Sequence, residues 1–281
     1  MRNFVYHGTV NKMKVGVDAN NKVEYQLPIG DELVNMNALI GTSIEVEFSN
    51  VIQCVHCERV TKKSFNQGYC YPCLMRLAQC DTCIIKPELC HYHAGTCREP
   101  EWGETHCLQP HFVYLANTGA AKVGITRHAS DGVSSRWIDQ GASQALAIFR
   151  VGERKLSGLV ETTLAKHIAD KTNWRTMLKG NITAIDLQEK RDELLELAKP
   201  ELDALTQEYG LQAISPLDIE PVDIEYPVLQ YPQKIKSINL DKELGFSGVL
   251  NGIKGQYLLL DSDRVINIRK YSGYQLSLAS I

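Results

Sequence analysis

Nine cysteines lie between Cys54 and Cys107, and the rest of the 281-residue chain holds none. Clustering of this kind excludes a disulfide framework spread through a secreted fold. It also excludes buried cysteines placed at random, which would scatter along the chain. Clustered thiols in a reducing compartment point to metal. Cys54-x2-Cys57, twelve residues, and Cys70-x2-Cys73 form the clearest part of the pattern. Two residues between thiols let one tight turn present both sulfurs to a single ion, and a second such turn closes a tetrahedron at Zn–S distances of about 2.3 Å. Four thiolates leave no open coordination position, so this site is expected to be structural. Gly68 permits a tight turn before the second pair, and Lys62 and Lys63 can offset the negative charge of the thiolates.

A second group follows as Cys80-x2-Cys83-x6-Cys90-x6-Cys97, with Cys107 beyond it and His91, His93 and His106 interspersed. The expectation is a second structural zinc with Cys80 and Cys83 as one half. The other half comes from Cys90, His93, Cys97 and Cys107, and spacing does not choose among them. An iron–sulfur cluster is an alternative tenant of four thiolates, although paired Cys-x2-Cys turns flanked by histidines suit zinc better.

The chain is 44% hydrophobic and 22% charged, the composition of an ordinary folded protein with material for more than one core. Its first ten residues carry one Arg and no apolar run of signal length. No stretch reaches the roughly 18 to 20 apolar residues of a membrane span. A cytoplasmic chain without a membrane partner is therefore expected. Charge is uneven: residues 111–180 carry a net +5, against −2 for 1–53, 0 for 54–107 and −6 for 181–281. The whole-chain balance of −3 conceals a basic middle segment suited to nucleic acid.

Pattern divides the chain into a β-rich N-terminal segment (1–50), a cysteine-rich metal module (51–110), an α/β domain (111–215), and a linker with a β-rich C-terminal segment (216–281). The fold class is α+β. Short apolar runs (4–6, 13–17, 23–27, 44–48) predict strands at the start. Runs at 248–250, 256–260, 265–268 and 274–278, with a hairpin turn at Asp261-Ser262-Asp263, predict strands at the end. Both ends are candidates for one barrel or sheet. Residues 157–169 fit a helix with Leu159, Val160, Leu164 and Ile168 on one stripe. Residues 187–209 fit another, capped by Asp186 with Glu189 completing a capping box, followed by Gly210 and split at Pro200. Residues 215–233, with four prolines, read as an extended connection.

The α/β segment opens with a hairpin: Val113 to Ala116, a turn at Asn117-Thr118-Gly119, and Lys122 to Ile125. A helix bearing Arg136 and Gln140 one turn apart follows, then Glu161 on the next helix and Asn173 beyond it. These strings resemble the GIY-YIG nuclease superfamily over residues 111–180, closest to a branch whose second string reads Lys-Ile-Gly-Ile-Thr, here Lys122-Val-Gly-Ile-Thr126. The whole chain also resembles an uncharacterised bacterial family. That family combines a cysteine-rich module with strings such as Arg-Trp-Ile-Asp-Gln-Gly-Ala, here at 136–142.

The resemblance implies a metal-dependent endonuclease acting on DNA or structured nucleic acid. Glu161 would hold Mg²⁺ or Mn²⁺ through mostly water ligands. Tyr114 would help activate the attacking water. Arg136 would pair with the phosphate, Lys122 would assist the base or contact the backbone, and Asn173 would orient Glu161 or the substrate. Two positions depart from the superfamily: Lys122 stands where a tyrosine is usual, and Gln140 where a His or Tyr is usual. A Gln amide does not titrate near neutrality. The alternative is thus a non-catalytic DNA- or RNA-binding protein using the same fold as a clamp. A protein-interaction scaffold built on the β-rich ends ranks last, since no residue pattern specifically supports it.

Overall fold

A computed structural model describes residues 5–129, 132–168 and 173–280. The expected strand start at Phe4 and the expected helix end at Ala169 lie outside these. The elements run β1 (Tyr6–Thr9), β2 (Lys14–Val17), β3 (Val23–Ile29), β4 (Glu32–Asn35), β5 (Ser43–Gln53) and β6 (Val60–Thr61), then α1 (Tyr71–Arg76) and α2 (Pro100–His106). The α/β segment holds β7 (His111–Asn117), β8 (Ala121–Thr126), α3 (Ser135–Asp139), β9 (Gln144–Val151), α4 (Arg154–Ala165), α5 (Trp174–Leu178), α6 (Leu187–Leu197) and α7 (Lys199–Tyr209). The chain finishes with β10 (Ile214–Pro216), β11 (Val222–Asp223), β12 (Lys236–Ser237), β13 (Gly245–Lys254), β14 (Tyr257–Leu260), β15 (Arg264–Asn267) and β16 (Tyr274–Ser280). The fold is α+β, and no helix among the described residues is long and apolar enough to cross a membrane.

The two ends of the chain meet in one sheet of order β1-β16-β5-β13-β14-β15-β12, with β6 on β5. β5 carries this junction. It pairs antiparallel with β16 (Leu276 opposite Phe48) and with β13 (Phe246 opposite Val46). The turn expected at Asp261–Asp263 forms as a 3-10 turn with Ser262 and Asp263 at positive φ. A three-stranded meander, β2-β3-β4, buries alternate residues of β3, as a strand with one core face must.

The α/β segment forms a sheet of order β10-β9-β7-β8, with β11 also on β9. Every residue of β7 is buried, because the sheet is covered on both faces. Val113 and Leu115 face a core with Leu156, Val160 and Leu164 of α4 and with Leu187 and Leu194 of α6. Phe112, Tyr114 and Ala116 face the opposite core, which they share with the terminal sheet. This shared core fixes the hairpin against the two chain ends. The 187–209 helix divides at Ala198, with Pro200 in the first turn of α7, where its missing N–H costs nothing. Asp186 accepts from the Gln188 and Glu189 N–H groups, and Gly210 ends α7 at φ 103°. Residues 214–223, overlapping the expected connection at 215–233, lay β10 and β11 along β9.

Candidate functional site

The first site is the four-cysteine centre. β5 ends at Gln53, and the chain turns at once: Glu58 N–H donates to the Cys54 carbonyl, and Cys54 N–H to the Arg59 carbonyl, both at 2.9 Å. Cys70 precedes α1, and Cys73 lies within its first turn behind Pro72. One tight turn and one helix start therefore deliver two sulfurs each. Gly68 sits at φ 126°, and a Cβ there would lie 2.6 Å from Val55 Cγ1, so the chain needs glycine where the two halves close together. The sulfurs of Cys54, Cys57, Cys70 and Cys73 all lie within 4.8 Å of one another. Cys57 Sγ and Cys70 Sγ are 3.7 Å apart, which matches the edge of about 3.8 Å expected for a tetrahedron with Zn–S bonds of about 2.3 Å.

The thiols are already polarised for such a load. Burial raises Cys54, but N–H groups of Cys57, Cys70 and His56 outweigh it and bring the thiol down to about 6. Burial and the neighbouring thiols push Cys73 up to about 12. Four adjacent thiols cannot all ionise unaided, and a divalent cation removes that conflict. The cluster can hold one zinc ion. Arg59 lies beside the cluster and bonds Cys57, with its guanidinium favoured by the Cys57, Cys70 and Cys73 charges. Of the two lysines expected to offset this charge, Lys63 sits 5.3 Å from the centre of the Phe65 ring.

The two cysteines of the second pair lie in successive 3-10 turns and have different surroundings. Cys80 closes one 3-10 turn and packs beside the first cluster. Cys83 lies in the next turn, after an extended Asp81 (ψ 156°) whose side chain accepts from Thr82 N–H. Cys83, Cys90, Cys97 and Cys107 instead line a separate small cavity of about 10 Å³. His93 is exposed and bonds Glu153 at 2.8 Å.

The other site is a cleft of about 820 Å³ at the junction of the metal module, the α/β sheet and the terminal sheet. Lys122, Arg136, Gln140 and Glu161 all line it. The hairpin sets Tyr114 opposite Gly124, and the phenol ring occupies the space a Gly124 side chain would need: a Cβ there would be 2.5 Å from Tyr114 Oη. Tyr114 is fully buried beneath the cleft floor and donates to Gln140 Oε1 at 3.0 Å. Burial pushes its phenol up to about 12, against the pull of the Arg136 charge. Ser134 caps α3 by accepting from Arg136 N–H, while Trp137 and Ile138 carry the helix's core contacts and leave Arg136 on the solvent side.

On α4, Leu156, Val160 and Leu164 form the stripe that meets the sheet, and Glu161 follows Val160 by about 100° around the helix, toward the cleft. Burial pushes the Glu161 carboxyl up to about 7, although Arg136, Arg154 and Lys122 oppose the rise. Asn173 does not line the cleft; it is exposed and caps α5 by accepting from Arg175 N–H at 3.0 Å.

Sequence reasoning missed most of the positive charge. Lys12, Arg127, Arg154 and Arg269 also line the cleft, with His128, against only Asp139 and Glu161 on the acidic side among the described residues. Asp139 is nearly buried and already occupied, with Lys12 Nζ at 2.6 Å and Gln256 Nε2 donating at 2.8 Å. Arg154 donates to the Ile84 carbonyl at 2.7 Å, and Arg269 to Gln67 Oε1 at 2.5 Å. Lys12 precedes Lys122, and Arg269 follows Glu161, by more than a hundred residues, so only chain closure reveals them. Asn66, Gln67 and Gln79 of the metal module line the cleft as well, and Asn66 and Gln67 take positive φ at this wall.

Fold and site together define an α+β protein with a four-cysteine cluster able to hold a metal ion beside a cationic cleft. Residues 41–276 match DUF2797, described as a protein of unknown function, and the chain belongs to that family. The matched span runs from just before β5 into β16, so it includes the four-cysteine cluster and all of the cleft lining except Asn11 and Lys12. No curated protein matches the chain, and no solved structure matches it.

Proposed function

We propose that the cleft binds the phosphate backbone of a nucleic acid and that, with Mg²⁺ or Mn²⁺ on Glu161, the protein hydrolyses phosphodiester bonds. The observation carrying this reading is that Lys122, Arg136, Gln140 and Glu161, far apart in sequence, share one cavity with four further cationic side chains. Six Lys and Arg side chains against two carboxylates favour a polyanion. Arg136 is placed to pair with a phosphate oxygen and its developing charge. Lys122 adds a second positive contact on the same side.

The donor set fits a divalent ion in one circumstance. A lone carboxylate surrounded by cations is a poor cation site by itself, as the raised Glu161 shows, but phosphate oxygens entering the cleft supply the missing negative charge. When bound there, such an ion would stabilise charge on the phosphate and the leaving oxygen. Tyr114 is a hydrogen-bond donor to Gln140 and is held protonated, so in this arrangement it positions Gln140 and takes no proton. The metal centre supports the cleft wall at 66–69, and its thiolates suit a reducing, cytoplasmic setting.

One observation favours a second reading, a clamp without turnover. With the phenol buried and Gln140 non-titrating, Glu161, pushed up to about 7, is left among the expected catalytic residues to act as acid or base. Single- and double-stranded DNA and RNA incubated with the protein and Mn²⁺ separate the two. Cleavage lost in Glu161→Gln supports hydrolysis at this site; salt-sensitive binding without cleavage supports the clamp; absence of binding refutes both. Cleavage unchanged in Glu161→Gln places the chemistry elsewhere.

A further inference from the structure

Residues 81–107 present a physical puzzle. They form short 3-10 turns and one seven-residue helix, and only Pro87, Gly103 and Cys107 are buried among them. No side chain from 81–107 belongs to any of the hydrophobic clusters among the described residues. Yet the segment is built into the protein. A Cβ on Gly158 of α4 would lie 2.4 Å from the Glu88 backbone nitrogen, and Ile84, Ile85 and Pro87 form a wall of the cleft. Backbone this irregular, with so little apolar burial, needs another source of folding free energy, and a thiolate-bound metal is the usual one in small modules.

We infer that Cys83, Cys90, Cys97 and Cys107 bind a second thiolate-preferring metal ion, and that Cys80 is no ligand of either site. All four line one cavity of about 10 Å³, room for about one water-sized sphere and so for a single ion rather than an iron–sulfur cluster; unlike those of the first centre, the four sulfurs do not all lie within 4.8 Å of one another, so binding would draw them inward. They come from four successive turns, so one ion ties the whole segment together. Gly103 lets the Tyr92 ring pack on α2 at the cavity wall: a Cβ there would sit 2.8 Å from Tyr92 Cδ2. Asp81 and His91 lie on the same cavity, and with Cys83 their ligand atoms are within 4.8 Å of one another. Both already have partners: Arg98 Nε sits 2.7 Å from Asp81 Oδ2, and His91 pairs through Nδ1 with Thr96 Oγ1 at 2.8 Å while its Nε2 lies 3.4 Å from the same Asp81 carboxylate. A cation bound through Asp81 would meet the Arg98 guanidinium, whereas four thiolates meet no such conflict.

The test uses the purified full chain. Eight of nine cysteines are then ligands, so metal analysis should find two ions per chain, and a thiol reagent should modify one cysteine before chelation and nine after chelation in denaturant. Cys80→Ser should keep both ions and lose the single reactive thiol. Cys97→Ser should lose one ion. Asp81→Asn combined with His91→Ala should keep both. One ion per chain with five reactive thiols in the native protein overturns the inference, and this needs no variant to fold. Loss of an ion in Cys80→Ser, its loss in the Asp81/His91 double variant, or acid-labile sulfide at the site overturns it equally.

Discussion

Replacing Arg136 with Ala should weaken nucleic-acid binding and, more tellingly, make it less sensitive to salt. Arg136 is a suitable probe because its side chain lies on the solvent side of α3, while Trp137 and Ile138 hold the helix to the core. The cleft carries six Lys or Arg side chains against Asp139 and Glu161, a net of four positive charges. If those four neutralise four phosphates, the slope of log K against log salt is about −3.6 for a duplex, and affinity falls about 150-fold between 50 and 200 mM salt. Without Arg136, three phosphates remain, the slope shrinks to about −2.7, and the same change costs about 40-fold. Fluorescence anisotropy of a labelled oligonucleotide, titrated at several salt concentrations, measures both slopes. A wild-type slope near zero, or equal slopes for the two proteins, would refute the account of the cleft.

Three other outcomes follow from the structure. Burial pulls the fully buried His111 down from 6.5 to about 4, so the unfolded chain binds a proton that the native chain refuses between those values; stability is therefore whole above pH 6.5 and falls by up to about 3 kcal/mol as pH drops through 4. Urea midpoints across that window check it, and His111→Asn should flatten the dependence. Gly124→Ala forces the Tyr114 ring aside and should cost about 1–3 kcal/mol, read as a lowered thermal midpoint. Chelation should release zinc and expose Cys54, Cys70 and Cys73, because the local core beside them is little more than those sulfurs and Leu77; unchanged thiol reactivity after chelation would contradict the centre.

What could be read from the chain was local. The Cys-x2-Cys pairs at 54–57 and 70–73, the hairpin around Gly119 and the division of the 187–209 helix at Pro200 all depend on neighbours within a few residues. What could not be read depends on chain closure. The pairing of β5 with both β16 and β13 brings Arg269 and Lys12 to a cleft whose catalytic candidates lie between residues 122 and 161. That Cys80 packs beside the first cluster while Cys83 lines another cavity is something their spacing does not report. The prolines of 215–233 suggested only a connection, yet Pro216 tolerates a place on β10 opposite Phe149 because that strand lies at a sheet edge.

The most direct test of the proposed activity is a crystal structure of Glu161→Gln bound to a short oligonucleotide with Mn²⁺. The account predicts a phosphate in the cleft between Arg136 and residue 161, with Tyr114 still beneath the floor. An oligonucleotide seated elsewhere on the protein, with the cleft holding only water, would contradict it.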